Sequence, residues 1–155
     1  MSTAAQLEAY ILGRKHDRFD WAVHNCCHFV AGWMRAATGA DPMAGLPFTH
    51  GARAARRLVQ QLGGSLEAAW SRQLGRAPIA PALAQTGDNV LLPAGTLAGA
   101  GGAVGLCTGR HVALVSEAHG VILLPMTHAT HAWRLREAGA AVVKNCLTAR
   151  AEAAA

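Results

Sequence analysis

The chain has 155 residues, 52% of them hydrophobic and 15% charged, enough to bury a core of its own as one domain over residues 1–155. Fourteen Lys and Arg against nine Asp and Glu give a formal charge of +5, too mild and too scattered to mark a nucleic-acid binder. No apolar run approaches the roughly 20 residues of a membrane span, and the first twenty residues lack the basic-then-apolar order of a secretory signal.

In chain order, Ala4–Leu12 reads as a short helix that Gly13 ends, followed by the polar stretch KHDRFDW. Asn25 then reads as the N-cap of a helix from Cys26 to about Thr38, with Gly39 as its stop. Phe29, Val30, Trp33, Met34 and Ala37 form one apolar face of that helix, which must be buried. Thr49 is a candidate cap for a third helix carrying Ala52, Ala55, Leu58, Val59 and Leu62 at helical spacing up to Gly63-Gly64. Arg53, Arg56 and Arg57 line its polar side and read as a solvated face. Ser65 opens a fourth helix that closes near Gly75.

After the linker RAPIAPALAQTG the period changes to short runs: Asn89–Leu92, Ala103–Cys107, His111–Ser116 and Val121–Leu124. They predict an antiparallel meander, with Ala141–Leu147 as a closing strand and a flexible tail over about 148–155. The Ala/Gly-rich PAGTLAGAGGAVGL reads as a flexible loop leading into a strand. Helices followed by strands argue for an α+β domain, N-terminal helices packed on a C-terminal antiparallel sheet.

The stretch HNCCHFVAGW, residues 24–33, has four readings. It can be a core helix with buried thiols, since free Cys is often packed and inert. As a metal site, with His24 and His28, it lacks the Cys-x-x-Cys spacing and a second ligand pair, because Cys107 and Cys146 stand singly. A thioredoxin-like redox pair fails on the same spacing. The fourth reading makes Cys26 a nucleophile: the first turn of a helix favours thiolate, and its free N–H groups can hold an oxyanion. Cys27 points about 100° further round the helix, so one thiol faces a site and the other faces packing. The base has to be a histidine delivered by the fold. His111, heading a strand, is the candidate; His119 sits in the following turn, and His128 or His131 could orient the imidazole.

Asn25-Cys26 heading a helix, the strand beginning Gly87-Asp88, and Arg110-His111-Val112-Ala113-Leu114-Val115 together resemble the NlpC-type cell-wall peptidases and the related CHAP amidases, which share a papain-like fold. Phe19-Asp20-Trp21, Cys26-Cys27, Thr38-Gly39-Ala40-Asp41-Pro42, Gly63-Gly64, Gly87-Asp88 and Ala132-Trp133-Arg134 resemble a phage-tail-associated branch of that superfamily more closely. The resemblance implies a papain-like NlpC-type domain, made in the bacterial host cytoplasm and carried in the virion among other tail proteins. It implies a cysteine peptidase or amidase acting on peptidoglycan peptides through Cys26, His111 and His128, with no metal or organic cofactor. A second register aligns GGAVGLCTG, residues 101–109, with the family's histidine strand and puts Ala103 at the base position. That register implies a tail-tip or tail-assembly protein that keeps the fold without the chemistry.

Overall fold

The computed structural model describes residues 2–95 and 101–136. The expected strand Ala141–Leu147, Cys146 and the tail at 148–155 lie outside them. Four helices come first: α1 (Thr3–Arg14), α2 (Cys26–Thr38), α3 (Ala52–Leu62) and α4 (Leu66–Leu74). Five strands follow, β1 (Asn89–Leu92), β2 (Ala103–Cys107), β3 (His111–Ser116), β4 (Gly120–Pro125) and β5 (His131–Trp133). The expected α+β order is present. All strand pairings are antiparallel, in the spatial order β4-β3-β2-β1-β5.

The caps of α2 and α4 are those the sequence offers. The Asn25 side chain accepts from the His28 N–H, the His28 ring accepts from the Asn25 N–H, and Gly39 ends α2 at φ 80°. Ser65 caps α4 and Gly75 stops it. Two expectations need correction. Gly13 lies inside α1, which runs on to Arg14, because one glycine costs only about 1 kcal/mol and Leu7, buried in the core, holds the helix down. Thr49 does not cap α3: its hydroxyl donates to the Trp21 carbonyl, while Gly51 precedes the helix without a side-chain cap. The sequence also left β5 unread. Its three residues are too few to show alternation, yet it pairs with β1, so the first four strands form a meander and the fifth crosses to the far side of β1.

The core forms on both sheet faces. On the helical face α2 lies across β2 and β3, and Phe29, Val30, Trp33 and Met34 pack with Leu7, Trp70, Val104, Leu106 and Trp133. On the other face Val90, Leu92, Ala103, Cys107, Val112 and Leu114 form a second cluster. Three buried tryptophans have their N–H groups satisfied across elements: Trp33 to the Gly87 carbonyl, Trp70 to the Asn89 side chain, Trp133 to the Ser71 hydroxyl. A buried indole brings much apolar area and one donor that must be paired. The Gly-Asp and Ala-Trp-Arg motifs meet at one joint: Asp88 accepts from the N–H groups of Gln85 and Leu135 and pairs with Arg134 at 3.5 Å. No helix among the described residues is long and apolar enough to cross a membrane.

Candidate functional site

A cleft of about 670 Å³ opens where the N-terminus of α2 meets the start of β2 and the end of β3. Cys26, Cys27 and Trp21 form its floor on the helical side, and Ala103, Ser116 and Glu117 its strand side. Helix α3 is the remaining wall, through Ala52, Ala55, Arg56, Val59 and Gln60. None of the residues of α3 is buried, and Ala52, Ala55 and Val59 of its apolar stripe line the cleft.

Cys26 is the first residue of α2, placed there by the Asn25 cap. The Cys27 thiol and the backbone N–H groups of Val104, Cys27 and Cys26 itself lie around its sulfur. These donors, the Cys27 thiol foremost, hold its pKa below the ordinary 9.0 against the opposing effect of burial. Cys27 is pushed well above 9.0 by its hydrogen bond to Cys26, by burial and by the neighbouring charge. Both thiols line the cleft, so the expected division, one facing a site and the other facing packing, is replaced by a difference in electrostatics alone. Removing the donor should show this: Cys27→Ala is expected to move the pH midpoint of Cys26 alkylation upward, measured by iodoacetamide rates across pH with Cys107 and Cys146 replaced by serine.

Among the described residues no histidine lines the cleft. Ala103, 2% exposed, heads β2 beside Cys26. Ser116, at the end of β3, lines the same cleft. His111 is the other end of that strand, exposed and opposite Pro125. Five residues at about 3.3 Å each separate it from Ser116 by roughly 16 Å. His128, also exposed, lies in the short 3-10 turn Met126–His128, where the Met126 N–H bonds the Arg110 carbonyl. The structure thus puts His111 at the end of β3 away from the Cys26 cleft, and His128 in the crossover from β4 to β5, outside the cleft lining. His119 is exposed in the β3–β4 turn, and His131 stacks on Trp133 with its Nδ1 at 2.9 Å from the Thr130 hydroxyl. Among the described residues no three His, Cys, Asp or Glu side chains converge as a metal site.

Sequence reasoning missed Ser116, Glu117 and Arg56 as cleft residues. In the sequence the histidine marks the head of β3 and nothing marks its tail, and the arginines of α3 read as one solvated face. The Val104 N–H has no sequence signal, because every residue but proline carries one.

Two histidines belong to the support of α2. His24 makes an edge contact with Phe29 and its buried Nε2 has no hydrogen-bond partner among the described residues. Burial lowers its pKa below the ordinary 6.5, and burial lowers that of His28 too, whose ring must stay neutral at Nδ1 to accept from Asn25. A depressed folded-state pKa means that the unfolded chain binds protons first as pH falls. The stability held by the neutral imidazoles is therefore complete above pH 6.5 and is lost as pH falls through the folded-state values. Urea unfolding at pH 7.5 and 5.5 should show a smaller loss for the His24→Gln/His28→Gln double variant than for the parent, since glutamine does not titrate and at position 28 can still close the capping box.

A family model described as a domain of unknown function (DUF6950) matches residues 2–135. No curated protein matches the chain.

Proposed function

We propose that the chain, which belongs to the DUF6950 family, a domain of unknown function, is a non-catalytic structural component of a phage tail tip or tail assembly, built on a papain-like, NlpC-type framework. The framework reading rests on a cysteine in the first turn of a helix that packs across an antiparallel sheet. One observation carries the absence of chemistry: the strand head beside Cys26 is Ala103, and among the described residues no imidazole lines the cleft. A thiolate can attack a carbonyl unaided, but the tetrahedral adduct expels an amine only if a general acid protonates it. A methyl group supplies no proton. With that step missing, the cleft serves as a surface for binding rather than turnover.

The test is incubation of the purified protein with peptidoglycan and with isolated stem peptides, reading new amino groups by mass spectrometry. No release is expected, and alkylation of Cys26 should be unchanged by His111→Ala. Release that Cys26→Ser and His111→Ala each abolish would overturn the reading. It would instead establish the second one, a cysteine peptidase or amidase of peptidoglycan peptides using Cys26, His111 and His128. The lowered pKa of Cys26 at the floor of an open cleft favours that second reading.

A further inference from the structure

The two edges of the sheet are treated differently. Beyond β5, Ile79 and Ala132 exchange both backbone hydrogen bonds, so that edge is covered. Strand β4 pairs with β3 alone. Which of its backbone groups face outward follows from the ladder. The Met126 N–H bonds the Arg110 carbonyl, and antiparallel pairs alternate between bonded and non-bonded. Val112/Leu124, Leu114/Ile122 and Ser116/Gly120 are then the bonded pairs of the β3–β4 register. The N–H and C=O groups of Val121 and Leu123 point away from the sheet, and among the described residues nothing bonds them.

Natural edge strands of this kind usually carry a lysine, an internal proline or a bulge that keeps other strands off. Here GVILLP has no charge, its proline stands at the very end, and Leu123 is 57% exposed. The edge also complements itself. About a two-fold axis at Ile122, Val121 faces Leu123 of the partner subunit and Leu123 faces Val121 of the partner subunit, each pair exchanging two hydrogen bonds.

We infer that two copies of this chain associate edge to edge through β4, joining their sheets into one antiparallel sheet of ten strands. The contact lies on the strand edge and holds whichever reading of the cleft is right.

Sedimentation velocity of the full chain over a concentration series from micromolar to several hundred micromolar tests it. A monomer–dimer equilibrium is expected. Leu123→Pro removes an outward N–H while leaving every β3–β4 bond in place, and should shift the chain to monomer across the series with unchanged far-UV circular dichroism. Should that variant fail to fold, Leu123→Lys carries the test, since an edge lysine blocks pairing without touching the backbone. A wild-type chain that stays monomeric throughout overturns the inference, and so does a dimer indifferent to both Leu123 variants. Protection of the Val121 and Leu123 amides from hydrogen exchange in a monomer would also overturn it, by placing the occupant within the same chain.

Discussion

Trp33→Ala should lower the free energy of unfolding by about 4 kcal/mol, within the range measured for buried aromatic truncations, and urea titration followed by circular dichroism would measure it. Trp33 is 1% exposed at the centre of the helical face, against Tyr10 at a ring separation of 5.9 Å. Its loss leaves a cavity that α2, held by the Asn25 cap and by Gly39, has little freedom to close. The change also strips the Gly87 carbonyl of the indole N–H at 2.9 Å. Trp33→Phe separates the two contributions, since it keeps most of the packing and loses the donor; about 1–2 kcal/mol is expected for it.

Asp88→Ala should cost about 3 kcal/mol, because removing a buried hydrogen-bonded carboxylate leaves its former donors without partners. The side chain is 4% exposed at residue level, and each oxygen accepts a backbone N–H at 2.8 Å, from Leu135 and from Gln85. Arg134, about one-third exposed, adds an ion pair that solvent screens, so most of the loss comes from the two stranded N–H groups. Asp88→Asn keeps one acceptor oxygen but turns an NH2 toward donors, and should fall between alanine and the parent. A loss below about 1 kcal/mol for Asp88→Ala would show that water satisfies those N–H groups and that this joint is looser than its geometry. Both residues serve the fold, so the sequence resemblance carried by Gly87-Asp88 and Ala132-Trp133-Arg134 marks a structural joint rather than reacting groups.

The helices were legible because their information is local. Asn25, Gly39, Ser65 and Gly75 act within one turn of where they stand, and the apolar stripe of α2 repeats often enough to reveal its buried face. Thr49 misled for the same local reason. A threonine before an apolar helix is a plausible cap until a carbonyl 28 residues earlier, that of Trp21, claims its hydroxyl. The apolar positions of α3 have the period of a packed helix, yet none is buried and Ala52, Ala55 and Val59 line an open cleft, because periodicity reports a face and not what lies against it. Strand β5, three residues long, had no pattern to read.

The sequence by itself determined the α+β order, the cap and first-turn position of Cys26, and the two strand heads that could meet it, Ala103 and His111. Only the tertiary structure decided between those heads. Consecutive antiparallel strands joined by a short turn start at opposite ends of the sheet, so the N-terminus of α2 can lie beside one start and not the other. The choice depends on which way α2 crosses β2 and β3, and that direction is set by side chains from α1, α4 and β5 packing together, contacts that no local spacing encodes.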